Sequence, residues 1–242
     1  MLNKNALIAI AVATFAIGCS QADSGVAKAE TVSGDVEYVA GDVVLGDAKA
    51  PVEIIEYAST SCGHCRTFHK TILPTIKSEF IETGKAKLIF RDLPTFPPAV
   101  AAAGGALARC AGKDKYHEML DELFTSQYEI MEAAQRRSAI DALIESAARV
   151  GMDEKTVRAC VSSTDVLGEI QRTSDLAHEA GVTGTPTLFI NGERVSGKDM
   201  NLTGITNAIN KALGVEPEPA ETPEETAPEE ETLGSSEAAP AE

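Results

Sequence analysis

The sequence predicts an α/β fold in which a βαβ unit and a closing ββα unit are separated by an inserted helical domain. Three observations carry that expectation. An apolar, β-rich run, Pro51-Val52-Glu53-Ile54-Ile55-Glu56-Tyr57, precedes a helix-period segment and a second short run, Lys87 to Arg91. From Ala99 to about Ala180 the pattern is helical throughout. Strand character then returns in Thr187-Leu188-Phe189-Ile190, a turn at Asn191-Gly192, and Glu193-Arg194-Val195. The chain has 242 residues, enough for one domain or two small ones, and its 43% hydrophobic share excludes wholesale disorder.

The first nineteen residues read as an export signal. Lys4 gives a positive start, and Ala6 to Ile17 is a run of twelve mostly apolar residues. That run is shorter than the about 20 residues a membrane span needs. Ala16-Ile17-Gly18-Cys19 resembles a bacterial lipobox, with Ala16 where a Leu is usual. On that reading Cys19 is acylated and anchors the protein to a membrane; ordinary cleavage after Ala22 is the alternative. Residues 20–40 are small, polar and weakly patterned, and read as a flexible tether. The globular domain is expected over 41–214.

Within it, Ser59-Thr60-Ser61 supplies N-cap chemistry for a helix from about Cys62 to Glu82. Phe68, Ile72, Ile76 and Phe80 repeat at a step of four, and Pro74 should kink the helix. The helical insertion, at about 97–180, shows apolar faces at Tyr116, Met119, Leu120, Leu123 and Phe124 and at Ile140, Leu143, Ile144 and Ala147. Leu202 to Leu213 forms a last helix, with Ile205 and Ile209 on one face. The tail, 215–242, holds ten Glu, five Pro and no Asp, Lys or Arg, so it is expected to be disordered. It supplies most of the net charge of −16. An acidic chain lacks the basic footprint that nucleic acid demands, so no nucleic-acid partner is expected.

Chemistry concentrates in Cys62-Gly63-His64-Cys65, which opens a helix directly after a buried strand. Cysteines at that spacing share one helical turn and can close a redox-active disulfide. A thiolate there faces unpaired backbone N–H groups and the positive end of the helix dipole, so Cys62 should titrate below the free value of about 8.5. His64 can stabilise the thiolate further. The pair could also be half of a zinc site, but the remaining ligands for a metal are missing from the pattern. An inert structural disulfide is a third reading. His69, His117 and His178 read as surface or packing residues.

Gly184-Thr185-Pro186-Thr187 places a Pro at the start of a strand, where a cis peptide bond is tolerated. Together with Cys62-x-x-Cys65, this resembles the thioredoxin superfamily. The helical insertion makes the closer resemblance its DsbA-like branch of exported thiol:disulfide oxidoreductases. The resemblance implies a thioredoxin-like fold over roughly 41–214 and no cofactor. It implies that Cys62 attacks, that Cys65 is the buried resolving partner, and that cis Pro186 and the Thr185 backbone align an extended substrate. Glu56, six residues before Cys62, would relay a proton to the buried cysteine. Of five cysteines, an acylated Cys19 leaves Cys62–Cys65 and a structural pair Cys110–Cys160; two buried free thiols are the alternative for the latter.

The function expected is oxidation of exported proteins bearing free thiols, in the periplasm, with re-oxidation by a DsbB-like membrane partner. Gly-His between the cysteines resembles the dipeptide of the family's oxidising and isomerising members rather than the Gly-Pro of reducing thioredoxins, and no dimerisation domain of the kind an isomerase uses is evident, so the resemblance ranks oxidase above isomerase above reductase. A peptide-binding, chaperone-like module with incidental redox activity is the rival from another class.

Overall fold

The computed structural model describes residues 31–32, 36–37 and 41–215. The expected export signal with Cys19, and the tail beyond Val215, lie outside the described residues. The first forty residues form a unit of their own. In it Thr31–Val32 (β1) pairs antiparallel with Val36–Glu37 (β2). This short ladder, with Val32 opposite Val36, falls within the stretch expected to be a flexible tether.

The second unit is built on a five-stranded mixed sheet. Its strands are Val44–Leu45 (β3), Val52–Ala58 (β4), Ala86–Asp92 (β5), Thr187–Ile190 (β6) and Glu193–Arg194 (β7), in the order β3-β5-β4-β6-β7. β4 and β5 run parallel, and β6 pairs antiparallel with β4. Central β4 is therefore covered on both edges, and Glu56 lies mid-sheet between Phe90 and Leu188. Two-residue β3, antiparallel to β5, is too short to leave a periodic signal and was not foreseen. Asn191 and Gly192 both take positive φ, as the turn into β7 requires.

The helix expected between β4 and β5 is present in three pieces. Gly63–Thr71 (α1) ends at Ile72, Leu73–Ile76 (α2) follows, and Lys77–Ile81 widens into a π turn. Pro74 sits in the first turn of α2, where a missing N–H costs nothing. Phe68, Leu73, Ile76 and Phe80 pack on Ile54, Leu88, Leu188 and Ile190 of the sheet, with Ile205 and Ile209 of the last helix.

The insertion comprises Pro98–Cys110 (α3), Tyr116–Thr125 (α4), Gln127–Gln135 (α5), Ala139–Arg149 (α6), Glu154–Val161 (α7) and Thr164–Glu179 (α8); Leu202–Ala212 (α9) closes the fold. Its core of Leu107, Tyr116, Met119, Leu120, Leu123 and Phe124 is continuous with Ala58, Cys65 and Phe90. α3 comes so close to the loop after β4 and to the end of β5 that glycine is required at two positions. A Cβ on Gly104 would stand 2.4 Å from Thr60 Oγ1, and one on Gly105 2.2 Å from Asp92 Oδ1. The Thr60 hydroxyl donates to Ala101 O at 3.1 Å in the same contact. Cys110, at the end of α3, is joined by a disulfide to Cys160 in α7, with Cα atoms 6.2 Å apart.

Candidate redox site

The loop leaving β4 fixes where the first cysteine sits. Ser59, Thr60 and Ser61 do not cap the helix, as their residue types suggested. Cys62 itself is the N-cap, in extended conformation with φ −83° and ψ 122°. The two serines are engaged elsewhere. Ser59 Oγ lies 3.0 Å from Ser61 Oγ and accepts from Thr95 N–H at 3.1 Å, while Ser61 Oγ donates to Thr95 O at 3.2 Å. The loop is thereby tied to the segment after β5, and Cys62 is delivered to the end of α1.

Cys62 and Cys65 are both thiols in this structure, the first half-buried and the second fully buried. Their surroundings drive them apart. The Cys62 pKa is lowered from 9.0 to about 5, chiefly because the Cys65 thiol hydrogen-bonds to its sulfur. Partial burial opposes that shift; the contact with Thr185 and the backbone N–H groups of Cys65 and His64 reinforce it. These amides are the unpaired first-turn donors, so the helix end does contribute, although the neighbouring thiol contributes more. Burial pushes the Cys65 thiol well up, aided by Cys62 and by the charge of Glu56. One sulfur is poised as thiolate and the other as thiol.

Pro186 follows a cis peptide bond with Thr185, and Cys62 Sγ lies 3.4 Å from Thr185 O. The loop before β6 and the start of α1 are thus brought together across 123 residues of sequence. The His64 ring is exposed; what reaches Cys62 from residue 64 is its backbone amide. Glu56 is completely buried beneath the helix, and its carboxylate accepts from His69 Nε2 at 3.0 and 3.2 Å. His69 is a packing residue in part, stacked on Phe124 with ring centroids 4.0 Å apart. It also contacts charge, because Asp121 Oδ1 lies 3.8 Å from its Nδ1. Burial alone would lower the His69 pKa, but the two carboxylates hold it above the ordinary histidine value. His117 lies against Val43 O, and His178 is exposed.

One site residue escaped the sequence reading. Gln127, buried at the start of α5, donates from Nε2 to Thr60 O at 2.8 Å and to Cys62 O at 3.0 Å. A glutamine at a helix start carries no signal of its own; only its partners, more than sixty residues away, give it a role. Replacing it with Leu strands the Thr60 carbonyl and leaves the Cys62 carbonyl with the Arg66 N–H alone, at 3.1 Å. Gln127→Leu is expected to cost about 1–3 kcal/mol of stability and to shift the Cys62 titration, both measurable in one pH series of denaturation curves. An unchanged stability and titration would show that water replaces the amide.

Next to these anchors stand two exposed aromatic side chains. Phe96 follows Thr95 and is 87% exposed; Tyr128 follows Gln127, is 69% exposed, and carries the Arg66 guanidinium 4.3 Å above its ring. Among the described residues, no group of three or more His, Cys, Asp or Glu is placed to hold a metal, and no helix is long and apolar enough to cross a membrane.

A family model described as thioredoxin matches residues 39–211. The chain is similar to a putative protein-disulfide oxidoreductase of Rickettsia prowazekii, 28% identical over 173 residues covering 71% of this chain and 61% of that protein. It is also similar to a probable disulfide bond formation protein D of Bacillus cereus, 29% identical over 173 residues, 70% of this chain and 77% of that one. The match thus spans about three fifths of the rickettsial relative. Among solved structures, α-DsbA1 of Wolbachia pipientis superposes with a TM-score of 0.67 at 29% identity, covering 73% of this chain and 93% of that one.

Proposed function

This chain belongs to the thioredoxin family and has the fold of its DsbA-like members, and on that premise we propose that it is a thiol:disulfide oxidoreductase that donates a Cys62–Cys65 disulfide to exported proteins. The observation that carries the reading is the division of labour at the two sulfurs. A substrate thiolate attacks Cys62 Sγ, and the electron pair of the broken S–S bond passes to Cys65, which takes up a proton. The second substrate thiolate attacks its own sulfur in the mixed disulfide, and Cys62 departs as a stabilised thiolate. The substrate leaves with one disulfide, and the two electrons stay on Cys62 and Cys65.

Stabilising the Cys62 thiolate favours the reduced enzyme and therefore makes its disulfide the better oxidant. Thr185, with its carbonyl 3.4 Å from Cys62 Sγ, and cis Pro186 offer an extended peptide a backbone edge beside the sulfur. Phe96 and Tyr128 add apolar surface for an unfolded client. The working cycle is completed in the periplasm by a DsbB-like membrane partner, with the chain anchored through acylated Cys19. Similarity to a protein-disulfide oxidoreductase and to a disulfide bond formation protein supports the reaction class.

The deciding experiment is the potential of the mature protein, equilibrated against glutathione and read by alkylation and mass. A donor of disulfides should lie toward the strongly oxidising end, near about −120 mV, and a reductase near about −270 mV. A value at the latter end would reverse the assigned direction. Unimpaired client binding in a Cys62→Ser variant, with no exchange in the wild type, would instead favour a chaperone-like module.

A further inference from the structure

His69 is the buried titratable group that the exchange steps above leave unused. It stands on α1 one turn beyond Cys65, with 3% of its side chain exposed, and it bridges two carboxylates of very different access. Its Nε2 meets fully buried Glu56 at 3.0 Å. Its Nδ1 is buried without a hydrogen-bond partner among the described residues, 3.8 Å from Asp121 Oδ1. Asp121 is about half exposed and pairs with Lys77 at 2.7 Å. The remaining walls are aromatic: Phe68 on α1, Phe90 on β5 and Phe124 on α4. Of the charged and titratable groups, α4 presents Asp121 and His117, β4 presents Glu56, and the π turn presents Lys77. An imidazole so placed has one nitrogen toward the interior and the other toward a solvated carboxylate.

We propose that His69 and Asp121 form the route by which the Cys65 proton enters from and returns to solvent, with Glu56 as its inner station. The inference rests on the exchange reaction proposed above and adds two positioning residues to it. A neutral ring donating from Nε2 to Glu56 has its lone pair on Nδ1, the atom that faces Asp121. On reduction of the disulfide, Nδ1 takes a proton from water at Asp121, and Nε2 releases its own to Glu56. Glu56 passes it to the Cys65 thiolate. The ring is left neutral with its proton on Nδ1. Re-oxidation runs the same steps backwards: Cys65 gives its proton to Glu56, Nε2 recovers one, and Nδ1 returns one to water. The two halves of the cycle therefore restore the starting tautomer without a ring flip. The flanking carboxylates keep the imidazolium accessible as the intermediate.

A relay speeds both directions equally and leaves the equilibrium alone, whereas a structural residue has no such obligation. Wild-type, His69→Gln and Asp121→Asn forms of the full chain, each shown to be folded by circular dichroism, are reduced with glutathione and re-oxidised with glutathione disulfide. Acid quenching and alkylation give the rates and the equilibrium constant. Both variants should slow reduction and re-oxidation by a common factor of roughly tenfold or more. The equilibrium constant should move less than about twofold in Asp121→Asn, and imidazole buffer should restore rate to the variants while leaving the wild type unaffected. Variant rates equal to wild type, or rates that change only as the equilibrium constant changes, overturn the relay. Should His69→Gln fail to fold, Asp121→Asn alone decides, because its side chain is half in water. Absence of exchange in the wild type, or exchange that survives Cys62→Ser, would reject the underlying reaction as well.

Discussion

Cys62→Ser is expected to bring thiol–disulfide exchange down to the uncatalysed rate, while Cys65→Ala is expected to hold substrate on Cys62 as a mixed disulfide. The two outcomes differ because the two sulfurs differ. A hydroxyl cannot be the sulfur under attack, so without Cys62 no covalent step begins. Without Cys65 the step has no internal thiol to reverse it. The ultraviolet absorbance of the thiolate should titrate near 5 in the reduced wild type, following the pKa lowered from 9.0 to about 5, and should vanish in Cys62→Ser. An inflection near 9 would remove the basis of the assignment.

The size of that shift also says where its benefit falls. At pH 7, moving a thiol from 9.0 to about 5 raises its thiolate fraction by roughly a hundredfold. Intrinsic nucleophilicity falls by nearly as much over four units, given a Brønsted coefficient of about 0.4–0.5. Attack by Cys62 is therefore little faster than that of an ordinary cysteine, and the advantage that remains is departure as a leaving group. This favours giving a disulfide away. The shift carries a stability signature too. A depressed pKa stabilises the folded reduced form at high pH, and the gain is lost as pH falls through the folded value. Stability of the reduced protein relative to the oxidised one should accordingly rise from about pH 5 to about pH 9.

The second large effect is expected at the other cysteine pair. Cys110 and Cys160 are 50 positions apart, and the chain-entropy argument assigns about 4 kcal/mol to closing such a loop. The double replacement Cys110→Ala, Cys160→Ala should lower the thermal midpoint by about 8–16 °C for a domain of this size. Calorimetry of the two proteins, both with Cys62 and Cys65 reduced, checks it. A change of only a degree or two would mean that packing between α3 and α7 holds without the bond. Intact mass after alkylation should show two free thiols in the reduced-site protein, and four would remove the disulfide altogether.

Much of the molecule could be read from one dimension. The apolar run ending at Tyr57, the step of four from Phe68 to Phe80, and the faces around Leu120 and Leu143 each mark an element and its buried side. Cysteines three apart at a helix start announce a thiolate, because backbone donors at that place are local and obligatory. In the loop after β4, geometry overrides residue type. Ser59 and Ser61 have capping chemistry, yet their hydroxyls serve Thr95, and Cys62 is left as the N-cap.

Periodicity tells which face of a segment is apolar, and says nothing about which other segment will cover it. The βαβ unit, the closing ββα unit and the inserted helical block were accordingly legible in composition, spacing and pattern, and the two-residue strands were not. Chain folding decided the rest: that Thr185 O meets Cys62, that Gln127 grips the loop carbonyls, that Gly104 and Gly105 admit Thr60 and Asp92, and that His69 links Glu56 with Asp121. Each of these is a contact between residues remote in sequence. Its energy depends on distance and burial, which exist only once the chain has closed on itself.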